Sequence, residues 1–436
     1  MQKSITKDVL AKFKKSYDEN FNKAAQNMIA SAGIMDASIN YAKLTKNPDV
    51  FKKTINIGKM TNQRQSGRCW MFAGLNVIRV NMMKKFKLGD IEFSHKYLYF
   101  FDKLERANQY LEDVIALKDK DLDDRLNRGV IFYAADDGAW WTTFSRLISK
   151  YGIVPEYVYP DTADVKKTDN LIFVLDKRLK IAAKDIRNAK TDAEIEEIKD
   201  KALKDVYKIT AIALGVPPKR FDLILKNKDD ELIERRNITA IDFYREFMAD
   251  DLSEYVELGN YPGKGKEENK VYERDFIQQR IGGSLKYLNV SMQRMKDIAI
   301  AMLDDDEALW FGCDVGKDSF VSRDGDGTGH LVYNLLDRDS LFDIDTKQTK
   351  VERMETCESN TTHAMVLVGY DRTDEGLKFK VENSWGEKAG IRGYLVMDEA
   401  WFDNYAFEII PKKKYLNQEE LAALDEEPIK LMPWES

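Results

Sequence analysis

The hydrophobic pattern changes along the chain from helical spacing to short strand-like runs, and this change limits the fold most. The opening stretch has apolar residues at helical spacing, namely Leu10, Phe13, Tyr17 and Phe21, and so predicts an amphipathic helix. After about residue 290 short apolar runs alternate with Gly and Asp turns. Strands are predicted at 309–313, 362–370, 377–382 and 394–397. The chain is therefore predicted to be α+β, with a helical half followed by a β half.

Composition and charge narrow the classes of function. The 436 residues carry a net charge of −7 and 43% of them are hydrophobic, which allows a sizeable core and disfavours a chain built to coat nucleic acid or an anionic membrane. The charged N-terminus has no apolar segment of a secretory signal, and no run approaches the roughly 18 apolar residues of a membrane span. The three cysteines, Cys69, Cys313 and Cys357, are too few for a disulfide framework. We expect a soluble cytoplasmic protein with reduced thiols.

Cys69 has the sequence surroundings of a reactive thiol. Apolar residues at 71, 75, 78, 82 and 86 predict a helix with Cys69 in its first turn. There the helix dipole and the free N–H groups stabilise a thiolate. Gly67 permits close approach to the helix, and the side-chain amide of Gln63 can join the Cys69 N–H to form an oxyanion hole. Cys69 is the predicted nucleophile, whereas Cys313 and Cys357 are interpreted as structural thiols.

A nucleophilic thiol needs a base, and the chain has three histidines. A hairpin turn centred near residue 373 would place His363 opposite Asn383, since both flanking segments are predicted strands. Asn383 would accept a hydrogen bond from one imidazole nitrogen and aim the other at Cys69, and Trp385 would cover that bond. His95 is interpreted as a helix-start or surface residue, and His330 as an exposed residue after a Gly/Asp loop.

These residues resemble a known family. The stretches that carry the resemblance are 62–63 (NQ) and 67–73 (GRCWMFA), 362–365 (THAM), and 381–387 (VENSWGE). They resemble the papain-like cysteine peptidases and, more closely, the bleomycin hydrolase and aminopeptidase C branch. The resemblance implies a papain-like two-lobed fold, with a helical lobe and an antiparallel β-barrel-like lobe. It also implies that Cys69, His363, Asn383 and Gln63 are catalytic and that no metal or organic cofactor is needed.

The spacing of the motifs predicts an insertion. In papain-type enzymes the histidine follows the cysteine by about 130–150 residues, but here the gap between positions 69 and 363 is about twice that. From about residue 161 to residue 280 the chain is rich in Lys, Asp and Glu. This stretch is similar in length to the surplus in the gap. The predicted segments are an N-terminal helical arm (1–60), a helical catalytic lobe (61–160), a helical insertion for oligomerisation (161–290), a β lobe (291–412) and a C-terminal arm (413–436). The resemblance implies a homohexameric ring whose sites face an inner channel.

The substrate side departs from the branch at two places. Gly138 and Ala139 stand where the branch has a Gly-Gly pair that holds the substrate backbone. Trp140 and Trp141 follow, and they are interpreted either as a wall of the adjoining subsite or as core residues. In the branch the terminal carboxylate, here that of Ser436, pairs with the substrate's α-amino group and produces aminopeptidase behaviour. The tail here is shorter than usual, so an oligoendopeptidase is a near-equal alternative.

Two other classes are weighed against a peptidase of short peptides. One is a nucleic-acid-binding ring protein, which the balanced charges disfavour. The other is a ring without catalytic turnover. Asp324, Asp326, Thr328 and Gly329 fit part of a calcium-binding loop, but Leu335 replaces its last glutamate, so a surface turn is the better interpretation.

Overall fold

The computed structural model describes residues 4–248, 251–276, 280–374 and 376–435. The helices are α1 (Lys7–Ser16), α2 (Glu19–Ala37), α3 (Tyr41–Lys46), α4 (Cys69–Lys85), α5 (His95–Ala116), α6 (Arg125–Phe132), α7 (Trp141–Tyr151), α8 (Ala163–Lys166), α9 (Asp169–Asn188), α10 (Asp192–Leu214), α11 (Ala240–Phe247), α12 (Met292–Asp304), α13 (Arg338–Phe342), α14 (Lys350–Glu355), α15 (Glu399–Tyr405) and α16 (Gln418–Ala423).

The strands are β1 (Lys53–Thr54), β2 (Phe221–Lys226), β3 (Leu232–Ile238), β4 (Leu258–Gly259), β5 (Lys270–Arg274), β6 (Leu285–Asn289), β7 (Leu309–Cys313), β8 (Ser319–Val321), β9 (Gly329–Leu331), β10 (His363–Thr373), β11 (Gly376–Glu382), β12 (Tyr394–Asp398), β13 (Ala406–Ile409) and β14 (Ile429–Leu431). The main sheet has the strand order β14-β5-β6-β4-β13-β7-β10-β11-β12-β9-β8, with β1 on β10, and β2 and β3 form a separate hairpin.

Helix α4 lies at the centre of the molecule. It is buried along almost its whole length, and it packs on β10 of the sheet, on α5 and on α7. Its apolar side chains are spread around the helix, as expected for a helix surrounded by the rest of the protein, and Asn76 and Arg79 are buried polar exceptions. The start of α4 therefore lies where the helical layer meets the sheet. The chain has the predicted order of a helical half followed by a β half, and helix α4 and strands β7, β10, β11 and β12 confirm the predicted elements.

The opening of the chain differs from the single predicted helix. The structure has two helices, α1 and α2, because the Asp18 carboxylate accepts a hydrogen bond from the Phe21 N–H at 3.0 Å and caps a new helix. The predicted apolar residues do not face a core within the chain: Phe13 and Phe21 are 54% and 66% exposed. Their spacing predicted helix correctly but not where the apolar side chains lie.

The predicted helical stretch 161–290 is helical only in its first part. Helices α8 to α10 end at Leu214, the β2–β3 hairpin follows, and β4, β5 and β6 join the main sheet. The reason is the buried aromatic residues of this region: Tyr261, Tyr272 and Tyr287 form a cluster with Phe407 of β13. The prediction of helix for all of 161–290 is therefore wrong after α10, apart from the short α11.

Three further observations complete the fold. Within the described parts of the chain, no helix combines the length and the apolar character needed to cross a membrane. The predicted exposure of His330 is wrong: it lies buried in β9, where its Nε2 is 3.1 Å from the Asn47 carbonyl. His95 begins α5 as predicted and stacks on Phe72 in the core.

Candidate active site

Cys69 is the first residue of α4, as predicted, and its side chain is 9% exposed. The backbone N–H groups of Cys69, Trp70 and Ala364 lie near its sulfur and lower the pKa of the thiol. Ala364 follows His363 in β10, so the thiol lies against the strand that carries the predicted base. The two groups, almost three hundred positions apart in sequence, are thus brought together where α4 meets the sheet.

His363 and Asn383 form the predicted hydrogen bond. The His363 Nε2 lies 3.0 Å from the Asn383 Oδ1, and a protonated Nε2 donates to that oxygen and leaves Nδ1 unprotonated, as the nitrogen that can accept a proton. The Trp385 ring lies 5.2 Å from the His363 ring, centroid to centroid, and covers the pair as predicted. Asn383 and His363 are both buried.

The predicted facing register of these residues is wrong. In the β10–β11 hairpin Val366 pairs with Glu382, and a bulge interrupts the ladder between Leu367 and Gly369. Asn383 therefore follows the last paired residue and reaches back towards His363 from the end of β11. His363 itself pairs with Cys313 of β7. Thr373 pairs with Gly376, so the turn is centred later than the assumed residue 373, and the bulge, which adds one residue to one strand, offsets only part of that difference.

Burial has the largest effect on the pKa values of Cys69 and His363. It raises the pKa of Cys69 to about 11, although the three N–H groups around the sulfur lower it. Burial also lowers the pKa of His363 to about 4; the bond to Asn383 opposes this shift and the charge of Arg323 adds to it. The thiolate that the sequence predicts at Cys69 stays a prediction, since burial opposes a charge on either group, whereas the attraction between a thiolate and a protonated His363 favours both charges.

Gln63 is held in place by hydrogen bonds on both sides of its amide. Its side-chain oxygen accepts from the Ser384 hydroxyl at 2.6 Å, and its Nε2 donates to the Ser66 carbonyl at 2.6 Å. An amide nitrogen carries two hydrogens, so the bond to Ser66 leaves the second N–H of the side chain for a further acceptor. The Gln63 N–H also donates to the Ser384 carbonyl at 2.8 Å, which fixes this loop to the segment after Asn383.

The predicted substrate wall is divided between surface and core. Arg106 donates to the Gly138 carbonyl at 2.6 Å and so fixes the backbone before Ala139, which is partly exposed. Trp140 is partly exposed and lies against the guanidinium of Arg274 at 4.8 Å. Trp141 is buried, with its ring near Phe144 and Tyr255. Trp141 therefore supports the wall from behind.

Asp137, which the sequence analysis missed, joins this wall to the start of α4. Its carboxylate accepts from the Gly67 N–H at 3.2 Å, the Thr168 hydroxyl at 2.5 Å and the Lys103 ammonium at 3.0 Å. Burial raises its pKa, but Lys103 and the hydrogen bonds hold the pKa well below its usual value. Its carbonyl accepts from the Trp70 indole at 2.7 Å. The one sequence signal was its position directly before Gly138.

The C-terminal arm lies beside the same wall. Strand β14 runs parallel to β5, and Leu431 pairs with Arg274, the residue that contacts Trp140. Further along, the Trp434 ring lies 4.1 Å from the Arg125 guanidinium. Ser436, predicted to bind the substrate's amino group, lies outside the described residues.

Comparison with known proteins agrees with this geometry. The sequence pattern of the Peptidase C1-like family matches residues 4–436. The chain belongs to this family. It is 37% identical over 437 residues to aminopeptidase C of Lactococcus lactis subsp. cremoris, covering 99% of this chain and 98% of that one. Aminopeptidase C of Listeria monocytogenes serovar 1/2a is 37% identical over 439 residues, with 100% and 98% covered.

The fold has a solved counterpart within the family. The crystal structure of PepW from Lactobacillus rhamnosis superposes with a TM-score of 0.95 at 35% identity, covering 100% of this chain and 99% of that one. The predicted resemblance and the papain-like α+β fold are thus confirmed. This member of the Peptidase C1-like family is a cysteine-type peptidase.

Proposed function

We propose that Cys69, His363, Asn383 and Gln63 carry the chemistry of a cysteine aminopeptidase that acts on short peptides. The observation that carries this proposal is the 3.0 Å bond between His363 and Asn383, with Cys69 at the start of α4 beside the same strand. The relatives named aminopeptidase C favour this activity over the oligoendopeptidase and over a ring without catalysis.

The mechanism is acyl transfer in two steps. The Cys69 sulfur bonds to the scissile carbonyl carbon while His363 takes the thiol proton, and the second N–H of Gln63 and the Cys69 N–H stabilise the oxyanion. His363 then donates its proton to the leaving amine as the C–N bond breaks. In the second step His363 deprotonates water, which attacks the thioester and releases the acid and the Cys69 thiol. Asn383 holds the imidazole in one orientation throughout.

The C-terminal arm is proposed to confine cleavage to the first residue of a peptide. It is held on β5 next to Arg274 and Trp140, on the side of the cleft where Gly138 and Ala139 receive the acyl part of the substrate. An arm in this position shortens the cleft, so that a chain extending further in that direction has no room. The terminal carboxylate of such an arm would also pair with a free α-amino group.

A peptide digestion tests this function. The native enzyme is expected to release the first residue from peptides with a free N-terminus and to leave N-acetylated copies intact. A variant that ends at Glu427 lacks β14 and the rest of the arm, and should cleave the acetylated copies. The Cys69→Ala variant is the control for contaminating peptidases. Equal cleavage of free and acetylated peptides by the native enzyme would contradict the proposed role of the arm.

The homohexamer stays a prediction. The exposed apolar side chains of α1 and α2, including Phe13 and Phe21, support association, because large apolar patches on a protein surface mark interfaces. Light scattering on the purified protein measures its mass directly. A mass of one chain, 50.4 kDa, at micromolar concentration would contradict the ring.

A further inference from the structure

A basic cavity lies on the leaving-group side of the catalytic pair. It has a volume of about 420 Å³ and is lined by Asn62, Arg64, Gln65, Lys166, Arg323 and Trp385. The acyl part of a substrate follows Gly138 and Ala139, whereas the leaving amine receives its proton from His363. Trp385 both covers His363 and lines the cavity, so residues that continue from the cut on the side of His363 would meet this cavity first.

The three cations of the cavity have no anionic partner within the described residues. Arg64, Lys166 and Arg323 are exposed, and the ion pairs found in the described parts of the chain include none of them. Asp324 and Glu387 are close in sequence but do not line the cavity. Three like charges around one cavity repel each other unless an anion enters.

Hydrogen bonds and a ring contact fix the segments that carry these cations. Arg64 has a φ of 57°, a left-handed conformation that is strained for a residue with a side chain. Its N–H donates to the Asn62 side chain at 2.9 Å, and the next N–H, of Gln65, donates to the Lys166 carbonyl at 3.0 Å. The Arg323 guanidinium lies 4.5 Å from the Trp385 ring. Its charge reaches the catalytic pair, since it helps to lower the pKa of His363.

We propose that this cavity is a carboxylate-binding subsite that selects peptides with a negative charge within the first two residues after the cut. This inference rests on the proposed peptidase function and names its preferred substrates. The carboxylate has two possible sources, the C-terminus of a dipeptide or tripeptide and the side chain of an aspartate or glutamate. Arg64 and Arg323 can each bind a carboxylate through two N–H groups, and Lys166 adds a third positive charge.

Four peptides that share a free N-terminal leucine separate the two sources. They are Leu-Gly-Gly with a free C-terminus and three amides, Leu-Gly-Gly, Leu-Glu-Gly and Leu-Lys-Gly. We expect kcat/KM for the free acid and for the glutamate amide to exceed that for the glycine amide by about tenfold, and the lysine amide to be slowest. A preference for only one of the two anionic peptides identifies the source. Equal values for the acidic, neutral and basic peptides would overturn the subsite.

The variants test whether the cavity causes the preference. In a triple variant, Arg64→Gln, Lys166→Gln and Arg323→Gln, the ratio of acid to amide should fall towards one. Each ratio compares two substrates on the same enzyme, so an altered His363 pKa cancels. Arg245→Gln removes an exposed arginine of α11 outside the cavity and should keep the full ratio. A triple variant with the native ratio would place the recognition elsewhere and refute the proposal.

Failure of the subsite and failure of the proposed function give different results. Release of leucine from all four peptides at one rate supports the peptidase and excludes the subsite. No release from any of them contradicts both. Salt adds an independent measurement: the native ratio should decrease from about 0.05 M to about 0.5 M NaCl, because partly exposed charges are screened over this range.

Discussion

The pH at which acid stops the reaction tests the buried state of the catalytic pair. Burial lowers the pKa of His363 to about 4, from an ordinary value of 6.5. A shift of this size corresponds to about 3 kcal/mol of preference for the neutral imidazole. Once His363 is protonated while Cys69 keeps its proton, the imidazole cannot accept the thiol proton. Activity should therefore be retained as the pH falls below 6.5 and be lost as it falls through about 4.

This limit holds wherever the shared proton lies. The fully protonated pair loses its first proton from whichever of Cys69 and His363 releases it more easily, so the apparent pKa of the pair cannot exceed that of His363 alone. The pKa of Cys69, raised to about 11, places the loss of the second proton far above neutral pH. The basic limit should instead follow the substrate's α-amino group, which loses its charge near pH 8.

The assay is kcat/KM for a leucyl fluorogenic substrate measured from pH 3.5 to pH 9, on the order of half a pH unit per step. Enzyme preincubated at each pH and returned to pH 7 separates reversible titration from acid unfolding. The Asn383→Ala variant removes the hydrogen bond that raises the His363 pKa, so its acid limit should not move upwards. An acid limit near 6.5 in the native enzyme would refute the buried, neutral imidazole.

Three other changes have definite expected results. Gln63→Ala should lower kcat by about 100- to 1,000-fold, measured in steady-state assays, because one oxyanion donor is lost. Asp137→Ala leaves Lys103 and three other donors without this carboxylate, and denaturant unfolding should show a loss on the order of 3–5 kcal/mol. Iodoacetamide should abolish activity through Cys69, whereas Cys357, which is exposed, should be labelled without loss; peptide mass mapping assigns both.

Local patterns were enough to predict the catalytic elements. The spacing of apolar residues predicted α4 with Cys69 in its first turn, and short apolar runs predicted β7, β10 and β11. The pairing of His363 with Asn383 was predicted from a hairpin, although the assumed register was wrong. The prediction still identified the correct pair of residues, because the Asn383 side chain at the end of β11 is long enough to reach His363 in the observed register.

Features that depend on distant residues could not be predicted in this way. Strands β5 and β6 were missed because their pairing depends on an aromatic cluster that reaches Phe407. Asp137 was missed because its partners, from Gly67 to Thr168, are separated by about a hundred positions. A buried carboxylate is stable only with several donors around it, and no local pattern shows which donors the fold will bring there.

Catalysis and substrate selection place different demands on the residues that carry them. Nucleophile, oxyanion donor and positioning amide need fixed geometry, so they lie at the ends of regular elements or beside them, where local sequence sets their direction. Of the cations of the leaving-group cavity, Arg64 and Arg323 lie in loops and Lys166 is the last residue of the short helix α8. Charge acts over several ångströms and tolerates small displacements, so exposed residues on loops and at a helix end are sufficient to select a carboxylate. Substitutions at these positions can therefore change which peptides are preferred while the geometry around Cys69 and His363 stays the same.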